Sequence, residues 1–546
     1  MHCTIYLKKK NEEVKVRLCQ YIFDTPAMAK VMHICGQGAL RACMWCKNEG
    51  KRISDLNKVV YHGSRKFLPE DHVLRESKGY PGGKPENSEP GVAYSKEEQI
   101  SLRQQWEDKP NKSQRSKFAK ENGVKGNYSF MKLPYHDFSR DVQPDGMHTI
   151  RRAVMNVIQY ISRQVQASSI DQVTAAEKEL RGKKLKKDHT RVLSSEETTL
   201  GNSRVDLVNF PPEYTGYKGS VYTNANKVLK NHHGWQEYTV NNVWIFTLRN
   251  SLSQRQRRTL FYFFASLSNL FMKKFNEEML KSVEVHLHQS VALMERDFPA
   301  VILNFTTHVL NHFANSMRRF GPLYSSWMYA FERFNSWITR RCNNKAHMES
   351  SVMDTYQLFD WVVFCELTKK FPGLEDPENS ICKKTLLFNG EGEPLRRLKR
   401  KRRVPINLSE EKKALVETKI EKGIKEVMSI NKLEKLNEFG ENYVLTIGSY
   451  CPMQGMKFAR VEDILEILTT TGENTYMVEL VEFETQFDQE TGIKSIEVPN
   501  IGSQSTLDYP DQVGEPAVHA IDDNKLWLLS EKANLDFPWL EHHMKH

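Results

Sequence analysis

Residues 16–50 read VRLCQYIFDTPAMAKVMHICGQGALRACMWCKNEG. Ahead of Asp24, Val14, Val16 and Leu18 alternate with Lys15 and Arg17, and Tyr21, Ile22 and Phe23 then run apolar. That spacing predicts a strand over 13–23 entering a core, with Asp24 at its carboxyl end. Thr25 and Pro26 offer an N-cap and a first-turn proline to a short helix that should stop at Gly36. Beyond them, Cys43 and Cys46 stand at the spacing that lets two thiolates hold one tetrahedral ion, yet zinc takes four ligands. The stretch therefore carries a lone carboxylate and half a metal site.

Outward from it, residues 61–130 are polar and rich in Lys, Gly, Pro and Ser, which predicts loops and short helices. After QPDGMHT, Ile150, Val154, Val157, Ile158 and Ile161 share one helical face. Leu260, Phe263, Phe264, Leu267, Leu270 and Phe271 form a wide apolar stripe, and Leu280, Val283, Leu287 and Met294 form the next. Past Leu387 the chain turns basic and then Lys/Glu-rich, and from Tyr443 short β-patterned runs follow, such as YVLTIGSY and KLWLLS. The expected division is 1–60, 61–300, 301–387, a basic linker and charged helix over 388–440, and a small β domain over 441–546.

Length and composition set the bounds. At 546 residues the chain should fold as several domains, and 27% charged with 39% hydrophobic residues is ordinary for a globular protein. No apolar run approaches a membrane span, and the first residues hold no apolar secretion signal, so no membrane partner is expected. Nine scattered cysteines fit a reducing compartment better than a disulfide framework. A net charge of +10 favours an anionic partner, most often nucleic acid.

The best completion of the CxxC pair is HVLNH, whose His308 and His312 fall at i and i+4 on one helix face. Taken alone, either pair could be a core or surface feature; together they give a Cys2His2 closure across the chain, a structural zinc with no open position for substrate. Glu332, amid apolar residues of YAFERFNSW, is either a surface acid bonded to Arg333 or Arg318, or a metal ligand brought near Asp24. Its helix should pack inward through Phe331 and Phe334.

The blocks DTPA, GQGALRACMWCKNEGKR, YHGSRKFLPEDH, GNYSFMKLPYHDF and PDGMHTIRRAV, then the segment from Phe298 to Glu366, resemble in order those of CACTA-type DNA transposases. The resemblance spans roughly residues 13–370. It implies a partial RNase H-like core with a large, mostly α-helical insertion, followed by the small all-β domain. It also implies Mg²⁺-dependent DNA strand cleavage and transfer by an Asp-Asp-Glu triad, with Asp24 as the second Asp and Glu332 as the Glu, both holding Mg²⁺. Cys43, Cys46, His308 and His312 match the structural Zn²⁺ ligands. Asp145 and His148 match a D-x-x-H signature, either a support to the metal site or the cap of the next helix. DNA at transposon ends is the implied partner, with a possible homo-oligomer, and the nucleus the implied location.

One departure weighs against activity. Residues 1–23 contain no aspartate, only Glu12 and Glu13, so the first Asp of the triad is missing and the chain is expected to start inside the catalytic fold and to be inactive. The alternative is a domesticated, non-catalytic nuclear DNA-binding or chromatin-associated protein. The basic run Arg396, Arg397, Lys399, Arg400, Lys401, Arg402 and Arg403 fits nuclear localisation or DNA binding, and RGKKLKKDH adds charge within the insertion.

Overall fold

The computed structural model describes residues 3–7, 12–16, 20–54, 56–77, 80, 94–163, 170–181, 190–210, 219–225, 234–341, 348–367, 403–437, 442–453, 457–531, 533–536 and 538–545. They form a mixed α/β protein, about half helical, with a C-terminal antiparallel sheet. The chain divides into two compact units, Met1–Ser326 with Arg403–His546, and Trp327–Arg402.

The opening stretch holds two strands where its alternation predicts one. Glu12–Val16 pairs with Cys3–Leu7 in an antiparallel hairpin, while Tyr21–Phe23 lies parallel to Val142–Pro144 in a separate sheet. Each parallel strand runs straight into a helix, Thr25–Val31 or Gly146–Ile161. Asp24, not Thr25, caps the first: its Oδ1 accepts the Ala27 N–H at 2.7 Å. An aspartate satisfies an orphan donor as well as threonine does and adds a negative charge at the positive end of the helix. That helix closes at Met32, short of Gly36, because the chain turns there to reach Val124 through a single bridge at Ile34.

Polar composition concealed two helices. Lys96–Glu107 opens on a reciprocal capping box between Ser95 and Glu98, and Lys112–Asn122 is capped by Asn111 and ended by Gly123 at φ 79°. The apolar stripes behave as periodicity predicts. Ile150, Val154, Val157 and Ile158 are buried, as are Leu260, Phe263, Phe264, Leu287 and Met294 on the helices Gln254–Ser268 and Glu277–Asp297. One large apolar cluster gathers them, and it includes Cys43 and Cys46.

The C-terminal strands begin earlier than 441. Thr506–Asp508, Asn474–Glu484, Lys457–Thr469, Ile424–Ile430 and Arg403–Pro405 lie side by side, with Tyr450–Pro452 also paired to Lys457–Thr469. Val416 of the helix Glu410–Ile420 is buried in the cluster that covers this sheet. A second sheet orders Gln486–Phe487, Lys494–Glu497, Lys525–Leu528, His519–Asp522 and Val208–Asn209, so its last strand comes from the helical region.

The final helix, Pro538–Lys545, is fastened to the helical core by a buried polar network. The Asp297 carboxylate accepts from Arg296 at 2.8 and 2.9 Å, from Arg255 at 2.5 Å and from the Thr259 hydroxyl at 2.5 Å. Nε2 of His543 lies 2.8 Å from Thr259 Oγ1, and Arg296 donates to the His543 carbonyl at 2.9 Å. Burial alone would raise the Asp297 carboxyl, but Arg296 and Arg255 hold it at about 2. Burial pushes His543 down to about 3, against the pull of Asp297. An unfolded histidine takes its proton near 6.5, so between about 6.5 and 3 the unfolded chain binds more protons and stability falls as pH falls. Asp297 adds a further loss as pH falls from about 3.9 toward 2. Thermal midpoints should therefore drop on acidification from about pH 7 to 4, and His543→Gln should flatten that decline. An unaltered slope in the variant would remove His543 as its source.

Candidate metal centre

Two distant pieces of chain meet at one point. Cys43 and Cys46 lie in the loop after the Thr25–Val31 helix, and Tyr61 braces that loop by accepting the Ala42 N–H at 3.0 Å and donating to the Ala39 carbonyl at 2.6 Å. The histidines sit on a helical segment that tightens midway: Phe305–Val309 is α, Leu310–His312 is 3-10, and Phe313–Phe320 is α again. Tyr61 joins the pieces, since its N–H donates to the Leu303 carbonyl at 2.7 Å.

The four donor atoms lie within 4.8 Å of one another. Cys43 Sγ to Cys46 Sγ is 3.6 Å, Cys43 Sγ to His312 Nε2 3.4 Å, Cys46 Sγ to His308 Nε2 3.3 Å, and Nε2 to Nε2 3.5 Å. Zinc bonds of about 2.3 Å to sulfur and about 2.05 Å to nitrogen give tetrahedral edges of about 3.8, 3.5 and 3.3 Å for sulfur–sulfur, sulfur–nitrogen and nitrogen–nitrogen pairs. The observed edges match within about 0.2 Å, the tolerance for a metal site. The four residues thus form a Cys2His2 group compatible with structural zinc.

The electrostatics suit a cation. Hydrogen bonding from Cys43 lowers the Cys46 thiol well below its usual range despite burial, helped by His308 and His312, while burial pushes Cys43 up. Burial also lowers His312, which keeps its imidazole neutral and able to donate a lone pair. An aromatic shell excludes water: Tyr61 stacks on His308 at 5.2 Å, while Phe67 and Trp45 approach His312 at 5.5 and 5.8 Å. Nε2 of His288 reaches the Asn311 carbonyl at 2.9 Å. Tyr61, Phe67 and Trp45 went unread in the sequence, because packing aromatics carry no ligand spacing; His286 and His288, at i and i+2, point apart on a helix and are the poorer alternative as ligands.

Asp24 is half-buried, with one oxygen committed to its cap. Asp145 is the N-cap of Gly146–Ile161, accepting from the N–H groups of Met147 at 3.1 Å and His148 at 3.2 Å, and it pairs with the His148 ring. Of the two readings of Asp145, the cap is the one this geometry displays. Glu332 lies in the first turn of Tyr329–Arg341, in the second unit. Within that unit Phe334 stacks on Trp337. Arg318 bonds Glu277 and Glu284, both at 2.9 Å. Arg403 opens a sheet strand and pairs with Glu466 at 2.9 Å. Residues 396–402 and the cluster 182–189 lie outside the described residues.

With this geometry in view, the family comparison is informative. A profile described as a domain of unknown function, DUF4218, matches residues 270–374, a segment that carries His308, His312 and Glu332. DUF4218 is found in plant transposase-derived proteins. The match points to a transposase-related family. No curated protein and no solved structure matches the chain. Among the described residues no helix is long and apolar enough to cross a membrane.

Metal analysis of the purified chain should find about one zinc per molecule. Cys43→Ala and His312→Ala should each lose it, with increased proteolysis of the helical region, since metal binding and folding are coupled. Unchanged zinc in both variants would dissolve the shared site.

Proposed function

We propose that this chain is derived from the transposase of a CACTA-like DNA transposon, and that its ancestral reaction is Mg²⁺-dependent DNA strand cleavage and transfer. What carries the reading is the Cys2His2 group whose histidine half lies inside the DUF4218 segment and whose cysteine half lies in the block that resembles the same transposases. The zinc is structural: four protein ligands leave no position for a reacting water. Chemistry would instead fall to Asp24 and Glu332 with Mg²⁺, which suits oxygen ligands. One ion would activate the attacking water or 3′-hydroxyl and the other stabilise the leaving oxygen.

These 546 residues supply no aspartate ahead of Asp24. Removing the carboxylate that bridges two metals costs orders of magnitude in rate, because in-line attack depends on both ions. A second reading is a domesticated nuclear protein that binds DNA without cutting it. Terminal inverted repeats flanking the gene would favour the transposon reading, and an intact gene without them the domesticated one.

The chain should bind DNA in a salt-sensitive manner and show no Mg²⁺-dependent nicking of a supercoiled plasmid. Robust nicking abolished by Asp24→Asn would reveal a complete active site and overturn the inactive assignment. Binding absent at every salt concentration would remove both DNA readings.

A further inference from the structure

Beside the metal group the first unit holds a cleft of about 650 Å³. Its size lies within the roughly 300–1,000 Å³ of ligand pockets. The hairpin of Lys51–Ile53 and Lys58–Val60 places Arg52 and Lys58 along one side, and the helix Gly146–Ile161 contributes Arg151 and Arg152. Val301, Ile302 and Phe305 are buried and give it an apolar floor. No aspartate or glutamate occurs among the described lining residues. Over the whole chain 78 basic residues nearly balance 68 acidic ones, so one sign has been segregated here.

Three of these cations are not spent on ion pairs among the described residues. Lys58 and Arg152 are exposed and meet no carboxylate among the described residues, and the hydrogen bond of Arg52 goes to the neutral Asn57 Oδ1 at 3.4 Å. Like charges gathered around a concave, low-dielectric surface repel one another and focus a positive potential that an anion relieves. The apolar floor asks for a ligand with a flat or apolar face as well as negative charge. A nucleotide has both, in its base and its phosphate. A duplex is too wide to enter a cavity of this volume, whereas one strand or a free nucleotide can.

We infer that this cleft binds nucleotide phosphate esters, with Arg52, Lys58 and Arg152 holding the phosphates and the floor under Phe305 receiving the base. The cleft and the metal group share their supports: Gln37 and Gly38 of its wall precede Cys43, and Asn304 to Thr306 precede His308. The inference stands on charge and shape, and it survives if the transposon origin does not.

Fluorescence anisotropy on the intact, zinc-loaded chain tests it, with a short oligo(dT) strand and ADP as separate probes. With three phosphate contacts at about 0.7 per contact, strand affinity should fall with salt at a log–log slope of about −2. The triple variant Arg52→Gln/Lys58→Gln/Arg152→Gln should nearly abolish the salt dependence and weaken binding at low salt by about tenfold or more. The control Lys422→Gln/Lys425→Gln/Lys457→Gln removes the same net charge from the C-terminal sheet and should bind like the parent. If the strand binds with that dependence, the ligand is a nucleic-acid strand; if ADP alone does, it is a free nucleotide. Binding that is equal in both triple variants, or no binding of either probe, overturns the inference. Duplex binding that persists in the cleft variant while strand or ADP binding is lost supports it, since a duplex does not enter the cleft.

Discussion

The helical part of the first unit holds one long-range tie, between a loop near residue 45 and a helical segment near residue 310. Cys46 and His308 are 262 positions apart, and Cys43 and His312 are 269. Closing so long a loop costs only slightly more entropy than a short one, because the cost grows with the logarithm of length. The binding of a structural zinc contributes about 10–16 kcal/mol in small finger peptides. A Cys2His2 group therefore has ample free energy to hold such a closure. What it needs is a scaffold that brings the four atoms to one point.

That scaffold is hydrophobic and largely helical. The cysteines belong to the same buried cluster as the Gln254–Ser268 and Glu277–Asp297 helices. Glu295 on the second of these accepts from the backbone of Gly63 at 3.0 Å and Ser64 at 2.8 Å, which fixes the turn that presents Phe67 to the histidines. Zinc held by this group would thus be supported by the apolar packing around it. The rings that exclude water from the sulfurs also fill the core, so losing the metal would expose buried thiols and loosen aromatic contacts together.

How much of this was legible follows from how few residue types each feature permits. Tetrahedral zinc accepts little besides Cys and His at fixed spacings, so CMWC and HVLNH stood out across a long separation. Core stripes on the Gln254–Ser268 helix stood out because burial enforces a 3.6-residue period. The longest strand, Lys457–Thr469, did not, since Val461, Ile464, Leu465 and Leu468 also fit a helix and a bulge between Val461 and Asp463 breaks the two-residue alternation. Val208–Asn209 is too short for any pattern, and tertiary pairing with His519 and Ala520 alone makes it a strand. The helices at 96–107 and 112–122 are announced by caps, a weaker signal than an apolar stripe.

Asp24 and Asp145 show why an acid in a family-like motif has to be weighed against its local duty. The strands Tyr21–Phe23 and Val142–Pro144 pair in parallel with Phe23 opposite Pro144, so the two aspartates follow at the same level of neighbouring strands. Each caps the helix that follows. Carboxyl ends of parallel strands are where α/β sheets commonly bind ligands, and they are also where a strand must hand over to a helix whose first N–H groups need acceptors. The second requirement alone explains an aspartate at both positions. Chemistry and capping separate only under a substitution that keeps one and removes the other. Asparagine caps a helix about as well as aspartate but cannot carry the charge a divalent cation requires, whereas alanine loses the cap as well, at about 1 kcal/mol. A loss of function in an alanine variant at Asp24 would therefore say little about metal chemistry, because the helix leading into the cysteine loop would be weakened at the same stroke.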